Sequence, residues 1–212
     1  KKLVIADRCG AVVDQVYGHI GQYEGPSLLL ATYLFAFQIY CDFSGYTDIA
    51  LGAARVMGFD LMVNFRTPYR SASISEFWSS WHISLSSWFR DYLYIPLGGN
   101  RVAKWRWYYN LFIVFIVSGF WHGANWTYII WGGLHGLYLV LALVFASFWK
   151  WSDGATGLVR WPRLKHWINV CITFHLVVAA WVFFRANNVQ DAFKLFERLA
   201  SRPWHLDDLL HL

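Results

Sequence analysis

Four of the eight histidines lie in apolar or aromatic runs, where a titratable ring needs a partner or a task. His122 stands in SGFWHGANW (118–126), beside Gly119, Gly123 and Asn125. An imidazole with an ordinary pKa near 6.5 can take a proton from a hydroxyl and return one to a leaving group. The structural alternative is a histidine hydrogen-bonded to a backbone carbonyl freed where a helix breaks. His82, in FWSSWHISLSSWFRDYLYIPLGGNR, has the same two readings on an aromatic amphipathic segment. His135, in WGGLHGLYL, has glycines around it that point to close helix packing rather than chemistry, and His175 repeats the ambiguity in the last apolar run.

Other groups carry weaker signals. Asp42 and Asp48 stand six residues apart with no further acidic ligand nearby, which is a poor cation site; helix capping or pairing with Arg55 is the expected use. Arg66, Arg70 and Arg90 could bind phosphates through charge-assisted forks, whereas Arg90 beside Asp91 reads as a local ion pair rather than a catalytic dyad. There is no glycine-rich phosphate loop, HExxH zinc motif or GxSxG elbow, so no metal is expected. Cys9, Cys41 and Cys171 are far apart, each in or beside an apolar segment, where cysteine usually packs.

The elements that must position these residues are membrane elements. Hydrophobic residues make up 57% of the chain and charged residues only 15%, against about 25% in ordinary globular proteins. Aromatics reach 20%, with 14 tryptophans, a composition suited to membrane interfaces. The net charge of +5 is spread between apolar stretches, which argues for anionic lipid headgroups and against nucleic acid. Charge-free runs place membrane segments at 25–41, 107–122, 126–149 and 166–184. After the first of these, Ser44, Gly45, Gly52, Ala53, Ala54 and Gly58 supply small residues for close helix approach.

The uncharged run 107–149 is about twice the length that the hydrocarbon core needs, so it must break, and SGFWHGANW is where. The part before it, 107–117, is too short to cross. His122 is therefore expected inside the membrane layer at a tunnel constriction, where irregular backbone must be buried or line a water-filled space. Between the spans, Ser73 and Glu76 fit a capping box that opens one interfacial helix over 74–94, with Phe77, Trp81, Leu85, Trp88 and Tyr92 at helical spacing. Pro96 and the Gly98-Gly99 turn end it. Basic residues would make 60–106 and 150–165 cytoplasmic, and the tail 186–212 is amphipathic and polar enough to lie outside. The opening KKLVIAD is not a signal peptide and reads like the middle of a longer chain.

The run YCDFSGYTDIALGAARVMGFDLMVNFRTPYRSASISEFWSSWHISLSSWFRDYLYIPLGGNR, followed by SGFWHGANWTYIIWGGLHG, resembles the membrane-bound O-acyltransferase (MBOAT) family. The match is nearest to its bacterial alginate O-acetyltransferase branch, and the opening KKLVIAD and late AWVFFRA fit that branch too. The resemblance implies a polytopic all-α core of membrane helices around a tunnel, in the bacterial inner membrane. It implies two reaction-path histidines: the one of the WHG motif matches His122 and the one of WHISLS matches His82. Asn125, Trp121 and Arg90 are the expected substrate-binding residues, with Asn125 and backbone donors stabilising an oxyanion. No resident cofactor is expected. Acetyl-CoA is the implied donor, and the implied partners are periplasmic or extracellular acetyl-transfer proteins and an exported polysaccharide. Transfer of D-alanyl or another acyl group, a transporter built on the same break, and a noncatalytic scaffold of an export complex remain the alternatives.

Overall fold

A computed structural model of the chain describes residues 1–201, and every regular element among them is helical. The all-α expectation holds. The end of the amphipathic 186–212 stretch, from residue 202, lies outside the described residues. The described chain forms two compact units: Lys1–Met62 with 181–201, and Val63–Ala180.

In the first unit a π-helical turn (Lys2–Ala6) leads into α1 (Asp7–Gly18), and α2 runs from Gly25 to Val56. At 32 residues α2 is about 48 Å long, well past the expected segment 25–41. It continues through Asp42 and Asp48 because both carboxylates are ion-paired: Lys2 holds Asp42, and Lys1 Nζ lies 2.7 Å from Asp48. The expected partner of these aspartates, Arg55, instead lies 3.8 Å from Asp60. Tyr17 on α1 packs 6.5 Å from Phe35, centroid to centroid, and donates to Thr32 Oγ1 at 3.1 Å, since that hydroxyl gives its own proton to Leu28 O.

In the second unit α3 (Ile74–Ser80) opens as the capping box requires on one side, with Ser73 Oγ accepting from Glu76 N at 3.1 Å. Glu76 reaches one residue further back than expected, accepting from Ala72 N at 2.7 Å. The single helix expected over 74–94 is three pieces: α3, α4 (Ile83–Phe89) and a π-helical turn (Arg90–Tyr94). The break falls at His82, which is left-handed at φ 44°. An irregular segment before α3 absorbs the backbone groups that the break frees. Arg66 N donates to Ser80 O at 3.0 Å, and Ile83 N donates to Asn64 O at 3.1 Å. Asn64 Oδ1 accepts from Ser84 N at 3.0 Å and from Ser84 Oγ at 2.7 Å, so Asn64 supplies the cap that α4 lacks from His82. The aromatic stripe splits with the helix: Phe77 and Trp81 are buried, whereas Trp88 and Tyr92 are exposed and Phe89 is buried in their place.

α5 (Lys104–His122) and α6 (Trp126–Val144) form a tight pair joined by three residues. The break of the 107–149 run is thus at 123–125, within SGFWHGANW, and α5 begins earlier than 107, at Lys104. With 19 residues α5 is about 28 Å long, so segment length no longer requires the break to lie inside the membrane. Glycines bring the two backbones together: a Cβ on Gly119 would stand 2.3 Å from Tyr128 O, and one on Gly132 2.2 Å from Phe115 O. α6 ends at Val144 rather than 149, and the chain turns at Phe145 into α7 (Ala146–Ala155). α8 (Pro162–Arg185) covers the expected segment 166–184, and α9 (Val189–Ser201) follows it. Among the described residues three helices, α2, α6 and α8, are long and apolar enough to cross a membrane. α5 is as long as α6 but carries Lys104, Arg106, Asn110 and His122 and is not among them.

Candidate active site

His82 is placed by the aromatic packing that precedes it. Trp81 is 4% exposed, with Phe65 5.0 Å away edge-on and Phe77 stacked at 5.6 Å. With Trp81 fixed behind it and Asn64 holding Ile83 and Ser84 ahead of it, residue 82 takes the left-handed turn itself. Its ring is half-buried, and burial pushes the imidazole down to about 4, so at neutral pH it is uncharged. A neutral ring can accept a hydrogen bond from a hydroxyl; a charged one could not.

His122 comes from a different element, the last residue of α5, just before the turn. The two imidazoles lie near enough for the charge of one to act on the other. Trp121 stands 5.0 Å from His122 and 6.5 Å from Phe89, both edge-on. On its other side His122 meets Trp131 of α6 edge-on at 5.1 Å. Two residues separated by 40 positions in the chain thus converge, one from a strained linker and one from a helix end.

The remaining expected site residues are arranged less directly. Asn125 is exposed and caps α6, its Oδ1 accepting from Thr127 N at 3.1 Å. Any oxyanion contact from Asn125 must therefore use its amide hydrogens. Arg90 is exposed and paired with Asp91 at 2.8 Å and 3.3 Å, and the guanidinium holds the Asp91 carboxyl below the usual carboxylate range. Arg90 also lines a cavity of about 370 Å³, mostly apolar, between α3, α4, α5 and α6. Ser118, one helical turn before His122, lines it as well. His175 Nδ1 lies 2.7 Å from Cys171 O, one turn back in its own helix.

Two side chains near the histidines, Trp78 and Trp131, carried no distinctive sequence signal, and a third is His135. His135, read as packing, is fully buried, and its Nδ1 accepts from Trp78 Nε1 at 3.2 Å. The one available clue was that Trp131 and His135 share a helix face, four residues apart.

The sequence model of MBOAT, the membrane-bound O-acyltransferase family, matches residues 22–186. The chain belongs to this family. The match includes His82, His122 and every side chain of the arrangement just described. Among MBOAT relatives, the chain is 45% identical over 210 residues to a probable alginate O-acetylase, AlgI, of Pseudomonas aeruginosa, covering 99% of this chain and 38% of that protein. It is 40% identical over 203 residues to a peptidoglycan O-acetyltransferase of Helicobacter pylori, covering 95% of this chain and 37% of that one. A teichoic acid D-alanyltransferase of Bacillus subtilis is 34% identical over 166 residues, covering 74% and 40% respectively. The chain spans about two-fifths of the length of these curated relatives.

Proposed function

We propose that the protein is a membrane-embedded O-acyltransferase that moves acetyl groups from a cytoplasmic thioester, acetyl-CoA, toward hydroxyls of an exported polysaccharide such as alginate. The observation that carries this reading is the convergence of His82 and His122 from two elements of an MBOAT chain. His122 acts as general base: it takes the proton of the acceptor hydroxyl as that oxygen attacks the thioester carbonyl. The tetrahedral intermediate collapses with loss of the C–S bond, and the departing thiolate receives the proton from His122. His82, neutral and half-buried, orients the acceptor hydroxyl through a hydrogen bond. The amide hydrogens of Asn125 and backbone donors at the α5–α6 turn face the oxyanion, and Trp121 walls the path.

The cavity beside the site is much larger than an acetyl group and suits the apolar arm of the donor, with Arg90 meeting its phosphates. A phosphate there competes with Asp91 for the guanidinium. The working location is the bacterial inner membrane, with acetyl-transfer proteins on the far side as partners. Transfer of D-alanyl groups is the second reading, drawn from the Bacillus relative, whose lower identity and shorter coverage give it less support.

The test is O-acetylation of exported polysaccharide by cells carrying the full-length protein, read by mass analysis. His122→Ala is expected to lower acetylation about 10²- to 10⁴-fold, the contribution of a positioned base. Acetylation at the parental rate would remove His122 from the reaction, and an exported polymer carrying D-alanyl esters instead would favour the second reading.

A further inference from the structure

We propose that Trp131, His135 and Trp78 are positioning residues that hold the His122 imidazole in its working orientation; this rests on the reading of His122 as the general base. Trp131 is 1% exposed and His135 0%, so neither ring has room to move. The Trp131 indole is clamped between the two histidines. His122 meets it at 5.1 Å with the planes 89° apart, and His135 meets it at 5.3 Å at 71°. Trp78 closes the triangle from α3, 5.8 Å from Trp131 and 5.0 Å from His135, both edge-on.

The hydrogen bond within this triangle sets its chemistry. An indole N–H only donates, so the 3.2 Å contact from Trp78 Nε1 makes His135 Nδ1 the acceptor and puts the His135 proton on Nε2. Phe77 lies nearly parallel to His135, 6.0 Å away at 7°. The array joins α3 to the α5–α6 pair. Phe77 also stacks on Trp81, the residue before His82. One packed group therefore sets the angle of His122 and the position from which His82 departs. A general base must stand within a few tenths of an ångström of its working place, and a displacement of about 1 Å can cost a hundredfold in rate.

The experiment uses the full-length protein with its partner proteins in proteoliposomes, radiolabelled acetyl-CoA as donor and alginate oligosaccharide as acceptor. Rates are expressed per folded molecule. Trp131→Phe is expected to lower kcat about ten- to a hundredfold with the KM for acetyl-CoA little changed. Trp78→Phe, which removes the N–H and keeps an aromatic ring, should lower kcat several-fold. His135→Leu should do the same, and His135→Asn, whose Oδ1 can accept from Trp78 in place of Nδ1, should recover most of the loss. A purely structural role would reduce the yield of folded protein and leave kcat per molecule unchanged, and that result would overturn the proposal. So would a rise in KM with kcat unaffected, or equal activity in His135→Leu and His135→Asn. His122→Ala in the same assay separates the two levels. If it retains activity, the reading of the site fails; if it is inactive while the three positioning variants keep full kcat, only the array fails.

Discussion

At the scale of single residues, the strained position is His82. A left-handed conformation costs a residue other than glycine about 1–2 kcal/mol, so its neighbours must enforce it. Asn64 is the enforcing contact ahead of it, because its carbonyl and side-chain oxygens together take three donors from Ile83 and Ser84. Asn64→Ala keeps the backbone contact and loses the two made by Oδ1. It is expected to destabilise the full-length protein by about 1–3 kcal/mol, read as a lower unfolding temperature in detergent. An unchanged unfolding temperature would mean that α4 needs no external cap. The His82 ring makes a second prediction. Its folded pKa of about 4 lies below the ordinary 6.5, so the unfolded chain binds the extra proton between those values. Stability from this group is complete above about pH 6.5 and falls as the pH drops toward about 4. The unfolding temperature should therefore fall less between pH 7 and pH 5 in His82→Gln than in the parent, and equal falls would exclude burial of His82 as a source.

At the scale of elements, the α5–α6 pair decides where His122 and Trp131 meet, and glycine decides how closely the pair packs. A methyl at Gly132 would stand 2.2 Å from the Phe115 carbonyl oxygen, which is backbone and cannot swing aside. At Gly133 the nearest atom is the tip of Ile116, 3.3 Å away, which can. Gly132→Ala is expected to destabilise the protein by about 1–3 kcal/mol, and Gly133→Ala to cost little. Thermal unfolding of the two variants side by side checks this, and equal effects would mean that the helices separate freely. Neighbouring turns matter as well. Asn110, fully buried on α5, donates from Nδ2 to Leu97 O at 3.0 Å and Gly99 O at 3.1 Å, so the turn that ends the π-helical segment is tied to the helix carrying His122.

At the scale of the molecule, three helices among the described residues have the length and composition to cross a membrane. α2 is longer than the hydrocarbon core by about 18 Å, so part of it must leave the lipid, and its two aspartates and Arg55 mark the end that does. Single cysteines introduced after removal of Cys9, Cys41 and Cys171 test this. Phe37→Cys sits on an exposed face in the apolar half and should escape a water-soluble maleimide, shielded by lipid rather than protein. Val56→Cys, exposed at the far end, should react. Labelling of both would place α2 outside the bilayer.

Composition and charge-free runs were sufficient for the helical class and for the long apolar helices α6 and α8, because hydrophobicity is a local property of the chain. Helix length was not legible from the charge-free run: α2 continues past Asp42, where Lys2 and Lys1, some forty residues distant, pair with its carboxylates. Local rules missed the break at His82, since nothing in SSWHISLSS marks a left-handed residue; the bonds that impose it come from Asn64 and the packing from Phe65. Helical spacing put Trp88 on one stripe with Phe77 and Trp81, and with the chain broken at His82 Trp88 is exposed while those two are buried. His82 and His122 were legible as candidates from their surroundings in sequence. That they stand together, with Trp131 and His135 clamped behind His122, was decided by tertiary structure alone, because proximity across 40 residues depends on how helices pack and not on the order of the residues within them.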